Sequence, residues 1–375
     1  MKNKKILYLI VLTFFLIFVN FASAVTNITS CQTISSQGNY TLNQTIVGAS
    51  ACMIIASSNV SFDCQGNTII YGAAGAADGV GINVFYLAVP LSNITIKNCI
   101  IRDNSTLRAN GHGIQFTRVT DSYIFNNTIQ TNGTSTNYGI YLTVGTKRNR
   151  IENNTINTLG SSTGNYGLYL LTETSDNNFT GNSVIGNGTT TSSAVYISAD
   201  ANNNLIYKNN LSTFSTIAAG NNADPNTVVI SASSLNNISG NRIYAEGVQR
   251  SYTVYITTNA HTNTIENNNI TINLTNSGTI YGIYVLRSDG TLIQNNNLTL
   301  YSAGNTAHGM YLTNAPNTMI QNNLVINYNI LRTTLSGITV SAASPYTTIQ
   351  GNNFSIWGLS GVNGISITSA GSSSI

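Results

Sequence analysis

Apolar positions along this chain fall into two beats that return together. The first is a hexad reading apolar, any, Asn or Gly, Asn, any, apolar, as in Ile151-Glu152-Asn153-Asn154-Thr155-Ile156. It recurs over 124–129, 179–184, 206–211, 238–243, 265–270, 293–298, 320–325 and 349–354, at intervals of 27 to 32 residues. The second beat reads small, aliphatic, any, aliphatic, as in Gly139-Ile140-Tyr141-Leu142 and Gly282-Ile283-Tyr284-Val285. Between Gly81 and Gly364 it repeats at a mean of about 28 residues, a period that marks a stacked-repeat architecture. Alternation with period two over four residues predicts a short strand with one face turned inward. No segment carries a helical apolar stripe long enough to cover a parallel strand. Each repeat must therefore wrap a full turn and lay its strands on those of the turn below. The predicted fold is all-β: a single-stranded, right-handed parallel β-helix of about eleven to twelve rungs, with neighbouring rungs about 4.8 Å apart. The right hand follows from crossovers between parallel strands. A left-handed hexapeptide helix would show a strict six-residue beat, which is absent.

The fourth hexad position is Asn127, Asn154, Asn182, Asn209, Asn241, Asn268, Asn296, Asn323 and Asn352. Stacked at one corner, these side chains would form an amide ladder in which each satisfies the next, a structural role rather than a catalytic one.

Outside the repeats, the first 24 residues read as a signal peptide. A basic Met1-Lys2-Asn3-Lys4-Lys5 precedes an apolar run over 6–19, and Ala22-Ser23-Ala24 offers a cleavage site, so the mature chain would begin at Val25. Removing Lys2, Lys4 and Lys5 leaves the 12 acidic residues matched by an equal number of bases. A formally neutral chain with 7 % charged residues lacks the basic face that a nucleic-acid partner requires. Export and an even cysteine count together read as two disulfides. Cys64 and Cys99 occupy neighbouring slots of successive repeats, which favours their pairing and leaves Cys31 for Cys52. Residues 25–50 are expected to cap the first rung, and residues 51–375 to form the helix. Long turns are expected at 88–90 and between Leu211 and Thr227. The end at Ser372-Ser373-Ser374-Ile375 falls partway round a rung, so truncation or a further domain is expected there.

The repeats, with the opening Cys52-Met53-Ile54-Ile55 and the stretch from Val60 to Ile69, resemble the right-handed parallel β-helix proteins of the carbohydrate-binding and sugar-hydrolase group. That group includes NosD-like domains, and the first rung looks like those of exported, mainly archaeal members. The resemblance covers about residues 51 to 375 and fixes fold better than activity, because the group spans lyases, hydrolases, adhesins and structural surface proteins.

Three sets of residues are candidates for chemistry. The any-position of the second beat holds Tyr141, Tyr169, Tyr196, Tyr255, Tyr284 and Tyr311, with Val229 as the gap. Flanked by inward aliphatics, these point outward and would make an aromatic row for sugar rings, or simply stack to support the sheet. Glu173 and Asp200 match in slot on adjacent repeats, with Asp176 nearby, and could act as a general acid/base pair or stand as solvated turn residues. Lyases of this fold would use a base with acidic calcium ligands; Lys147-Arg148-Asn149-Arg150 beside Glu152 matches that poorly and reads as a charged turn. His112, His261 and His308 are scattered, and a copper pair of His308 with Met310 is suggested only by the NosD likeness. Sequons are numerous (Asn27, Asn59, Asn104, Asn132, Asn187, Asn237, Asn273, Asn353), and Asn132 and Asn187 are expected in turns that could carry glycans. No cofactor, metal or membrane span beyond the signal segment is expected. The sequence thus predicts an extracytoplasmic, non-catalytic β-helix with a structural, adhesive or glycan-binding role. The alternatives are a polysaccharide lyase or glycoside hydrolase, and a NosD-like periplasmic accessory protein.

Overall fold

A computed structural model describes residues 25–73, 79–104, 109–188, 191–214, 226–247, 251–274, 278–303, 306–329 and 334–368. The signal segment, Asp224-Pro225 of the longer turn, and the last seven residues lie outside the described residues. The described chain is a parallel β-solenoid built of three long sheets. Sheet 1 holds 13 strands, from Val25–Ile28 to Thr348–Gln350; sheet 2 holds 12, from Ile46–Val47 to Asn353–Trp357. Sheet 3 holds 13, from Thr33–Ile34 to Val362–Thr368.

One coil passes through Arg150–Glu152 in sheet 1, Thr155–Gly160 in sheet 2 and Asn165–Leu171 in sheet 3. The next coil lies on it in parallel register, pairing Ile151 with Phe179, Ile156 with Val184 and Leu168 with Val195. Those six side chains are fully buried. Because every coil offers aliphatic residues at these slots, the core is a continuous column, and each fully buried aliphatic contributes about 1.5–3 kcal/mol. No coil could bury its own share alone. Residues 25–50 supply strands to all three sheets, with Ile28, Ile34, Leu42 and Ile46 buried, so they form the first coil of the solenoid.

The hexad has a backbone explanation. Its first apolar residue sits on sheet 1, its last opens sheet 2, and the two residues between make the corner. The third position adopts a left-handed conformation, with φ of 53° at Asn126, 55° at Asn153, 67° at Gly181 and 64° at Gly240. Asn and Gly tolerate that region best, which accounts for their recurrence; Lys208, at 53°, is the exception. The fourth position, the Asn column, turns inward.

The glycine that opens the second beat answers to close packing. In Tyr138–Thr143, Gly139 and Ile140 are both buried, and the pairing passes from Tyr138↔Tyr166 to Ile140↔Leu168. A Cβ on Gly139 would lie 2.2 Å from Ile156 Cγ2 and 2.6 Å from the Gly167 carbonyl oxygen. Two successive inward residues break the alternation, so outward side chains stand three apart, at Tyr138 and Tyr141. The strands also outrun the four-residue expectation. In sheet 2 the pairing continues to Gly133, Gly160 and Gly188, which puts Asn132 and Asn187 inside strands and not in the turns expected for them.

The disulfides join Cys31 to Cys52 and Cys64 to Cys99, both within the first coils.

Candidate functional site

The bulge at the sheet 3 glycines produces a double file of aromatic rings on the outer face of that sheet. One file is Tyr141, Tyr169, Tyr196, Val229, Tyr255, Tyr284 and Tyr311, paired rung to rung. The other, which the simple alternation hides, runs His112, Tyr138 and Tyr166, and resumes with Tyr252, Tyr281 and His308. Within a file several ring planes lie nearly parallel: Tyr138 and Tyr166 are 5.5 Å apart at 3°, Tyr141 and Tyr169 are 5.3 Å apart at 11°, and Tyr255 and Tyr284 are 5.4 Å apart at 14°, whereas Tyr169 meets Tyr196 at 82° and Tyr284 meets Tyr311 at 74°. Across the files of the first block Tyr138 meets Tyr169 edge-to-face at 4.7 Å and 64°, while Tyr166 stacks on Tyr196 at 4.5 Å and 18°. Every tyrosine of the double file is half-buried. Between stacked neighbours the ring faces are covered by one another, which leaves ring edges and phenol hydroxyls to meet solvent. Burial pushes the Tyr138 and Tyr166 hydroxyls to pKa values well above the ordinary phenol, with neighbouring tyrosines adding to the shift. They stay protonated and can both donate and accept hydrogen bonds. Such pairs contribute about 0.5–1.5 kcal/mol each beyond area burial, so the files hold the sheet as well as presenting a surface.

Charge is distributed unevenly around the solenoid. The nine strands of sheet 3 from Gly111–Thr117 to Thr334–Ser341 contain no Asp, Glu, Lys or Arg. Sheets 1 and 2 carry them, in Arg150–Glu152, Thr264–Glu266 and Arg242–Gly247 among others.

The candidate carboxylates stand in the turns from sheet 3 to sheet 1. Glu173, Asp176 and Asp200 are exposed, with left-handed φ of 56°, 59° and 62°. Glu173 and Asp200 take equivalent places on adjacent coils, two residues beyond the Leu171↔Ser198 pair. Asp176 accepts hydrogen bonds from Asn203 and from Ser175, and these hold its carboxyl below the usual carboxylate range. Ionised at neutral pH, it has no proton to give as a general acid. Lys147 sits in a bridge between Thr120 and Ser175, while Arg148 makes a two-pronged contact with Asp121 at 2.7 Å on both arms. Arg150 pairs with Glu152, which also accepts from the Tyr123 hydroxyl at 2.8 Å. The guanidinium groups of Arg148 and Arg150 are thus committed to Asp121 and Glu152.

The histidines divide. His112 stacks on Tyr138 at 4.6 Å and 4°. His308 stacks on Tyr281 at 5.3 Å, and its Nδ1 lies 2.6 Å from Ser336 Oγ and 2.9 Å from Thr339 Oγ1. Burial drives its pKa down to about 4. Met310 points into the core, fully buried, while His308 joins the outer aromatic file. Gly309 and Met310 are two inward residues in succession, and this break in the alternation puts Met310 on the face opposite His308, so they do not form the copper pair. His261 lies in a turn, its Nδ1 accepting from the Asp289 N–H at 3.3 Å. Among the described residues no three His, Cys, Asp or Glu side chains cluster as a metal site.

Inside the corner from sheet 1 to sheet 2 runs the hexad ladder. Asn182 Oδ1 accepts from the Asn154 N–H and from Asn154 Nδ2, both at 3.0 Å, while Asn182 Nδ2 donates to the Ile151 carbonyl at 2.8 Å and to Asn209 Oδ1 at 3.0 Å. The same pattern links Asn127 through Asn352. A second ladder, Asn149, Asn177, Asn204, Asn236 and Asn263, lines the corner ahead of sheet 1. Sequence reasoning missed it, although its signal is present: an Asn two residues before the hexad, as in Asn177-Asn178-Phe179.

Comparison with known proteins assigns the family. The family model described as right handed beta helix region matches residues 16–211, more than half of the chain. The chain belongs to the right-handed beta helix family. Among solved structures, the A-module of the mannuronan C-5 epimerase AlgE4 of Azotobacter vinelandii is similar at 13 % identity with a TM-score of 0.54, covering 94 % of this chain and 89 % of that one. PfbA, a surface adhesin of Streptococcus pneumoniae, is similar at 10 % identity with a TM-score of 0.57, covering 92 % and 86 %. No curated protein matches the sequence. At these identities the likeness is one of fold: a right-handed solenoid of parallel coils with a repeat of about 28 residues.

Proposed function

We propose that this chain is an exported surface or secreted β-helix whose sheet 3 face binds extracellular glycan without catalysis. The observation that carries the reading is the double aromatic file, two blocks of half-buried tyrosines on a sheet without ionic groups other than its two histidines. Tyrosine offers apolar edge and a hydroxyl at small entropy cost, the combination that binding surfaces for polyols favour. Two disulfides suit an oxidising compartment outside the cytoplasm. The structural neighbours are in keeping with this: one is titled a surface adhesin and another an epimerase of mannuronan. Against catalysis stands the exposure of Glu173 and Asp200. Open turns leave both carboxyls in water, whereas catalytic sites enclose the reacting groups and exclude it.

The test is retention on immobilised polysaccharides by the wild-type chain and by the Tyr169→Ala/Tyr196→Ala variant, with thermal melting to verify that the variant folds. Loss of retention in a folded variant supports the reading; unchanged retention removes the tyrosine face from it. Cleavage of any of these polymers that disappears in Glu173→Ala/Asp200→Ala would instead make the chain an enzyme.

A further inference from the structure

We propose that the glycan held on the sheet 3 face is an uncharged polysaccharide, and that the face selects against polymers bearing carboxylate or sulfate groups. The proposal rests on the glycan-binding reading and adds the chemical class of the ligand.

Nine successive strands contain no Asp, Glu, Lys or Arg, although the whole chain is 7 % charged. Charged residues are placed on the other two sheets and in turns. A polyuronate or sulfated polymer would have to lay an anion on each sugar against ring edges and hydroxyls. Recognition of such groups uses the forked donors of Arg or the ammonium of Lys, and the face has neither. Desolvating an anion there without a partner is costly. A neutral polymer meets no such penalty, since phenol hydroxyls donate to and accept from sugar hydroxyls alike.

The edge of the first block strengthens the selection. Glu173 and Asp200 follow Tyr169 and Tyr196 by four residues each, on adjacent coils, and both are exposed. Two carboxylates beside the same tyrosines repel an approaching polyanion over distances comparable to the Debye length, about 8 Å at physiological salt. These are the acids that sequence reasoning singled out for catalysis; here they act as an electrostatic fence. On the second block burial raises the Tyr284 hydroxyl's pKa, and Arg287 in the flanking turn is close enough to offset part of that rise. Within the first block the turn after Tyr141 carries Lys147 and Arg148, so selection is strongest at Tyr169 and Tyr196, the two coils whose turns carry Glu173 and Asp200. The partners of His308 on this face are hydroxyls, Ser336 and Thr339, which leaves it neutral among them.

The experiment compares soluble glucan, mannan and galactan with the same backbones oxidised to carboxylate at C6, measuring binding to the full chain at two salt concentrations. The proposal expects neutral polymer to bind at least tenfold tighter than its oxidised counterpart, with the gap narrowing at high salt. It also expects Glu173→Gln/Asp200→Asn, which keeps the turn residues polar and uncharged, to improve binding of the oxidised polymer several-fold and leave neutral binding unchanged. Equal or tighter binding of the oxidised forms overturns the proposal and leaves glycan binding standing. So does a Glu173→Gln/Asp200→Asn variant that folds and shifts neither affinity. Failure to bind any of the six polymers overturns the glycan reading itself, whereas neutral binding that survives Tyr169→Ala/Tyr196→Ala removes the tyrosine face from that reading and overturns this proposal with it.

Discussion

Removing one side chain from the amide ladder tests the physical basis of the fold. Asn182 is 1 % exposed and makes four hydrogen bonds to the rungs on either side. In Asn182→Ala, Asn154 Nδ2 keeps its bonds to the Ile124 and Glu152 carbonyls at 3.0 and 3.1 Å, and Asn209 Oδ1 keeps the Asn182 N–H at 2.8 Å. One group is left without a partner, the Asn154 N–H, while the Ile151 carbonyl loses the second of its donors and keeps its place in the sheet 1 ladder. An unpaired buried backbone group costs about 1–3 kcal/mol, so the loss should be about 2–4 kcal/mol once the small cavity is included. Asn153→Ala is the control. It alters the neighbouring corner residue, exposed and at φ 55°, and should cost only the left-handed penalty of about 1–2 kcal/mol.

Stability would be read from denaturant unfolding, and the site of damage from hydrogen exchange. Stacked repeats couple mainly to their neighbours, so faster exchange should centre on the Asn154 and Asn209 rungs and fade with distance. Asn182→Asp sharpens the result. The acid keeps an acceptor but places a carboxylate beside the Ile151 carbonyl and Asn209 Oδ1, so its folded pKa must rise above the ordinary 3.9 or so. The folded state then holds a proton that the unfolded chain has released. Stability of this variant should fall as pH rises from about 4 to the raised pKa, then level off. A loss below about 1 kcal/mol in Asn182→Ala, with the Asn154 amide still protected, would refute the claim that the ladder holds the corner.

Gly139→Ala should cost about 2–3 kcal/mol or more, because the new methyl meets Ile156 Cγ2 at 2.2 Å; Gly145→Ala, at φ 68° with open space around it, should cost about 1 kcal/mol, and thermal melts of the pair would reveal equal losses if packing were irrelevant. His308 should titrate near its depressed pKa of about 4 by NMR, and a value above 6 would refute its burial. Because the folded pKa lies below the unfolded value of about 6.5, its contribution is intact above that pH and is lost as pH falls towards 4, roughly 3 kcal/mol in all. His308→Gln should flatten that part of the profile.

The architecture was legible because it is enforced once per coil. Ile151, Phe179 and Ile206 carry the same burden, and any one of them could be read from the others. The left-handed corner filters for Asn and Gly at Asn153, Gly181 and Gly240, so even a backbone conformation left its mark on composition. The second ladder was harder to see. Its register is set by the turn ahead of sheet 1, where Asn177 and Asn204 give way to Thr291 and Thr318, buried hydroxyls in the same column. Thr318 Oγ1 donates to the Ala315 carbonyl at 3.0 Å much as Asn263 Nδ2 donates to the Ala260 carbonyl at 2.9 Å, so a hydroxyl can stand for the amide, identity is not preserved there and the beat fades.

The outer face raises a different difficulty. Alternation with period two assigns one outward slot to Gly139-Ile140-Tyr141-Leu142 and predicts a single row of tyrosines. The solenoid spends two inward positions in succession at Gly139 and Ile140, and this turns Tyr138 outward as well. That bulge is invisible to a periodic template, since a glycine before an aliphatic reads equally well as a strand start. Its consequence is chemical: one row of rings becomes two interlocked files, and their faces are taken up by one another. On the proposed glycan-binding reading, a surface that would have stacked sugars on flat rings would instead meet them with edges and hydroxyls. Selection would then fall to what surrounds the rings, and around Tyr169 and Tyr196 that is a sheet without Asp, Glu, Lys or Arg followed by Glu173 and Asp200 in the turns. The same two acids that looked like a catalytic pair on spacing alone would, under that proposal, act on which polymers can approach.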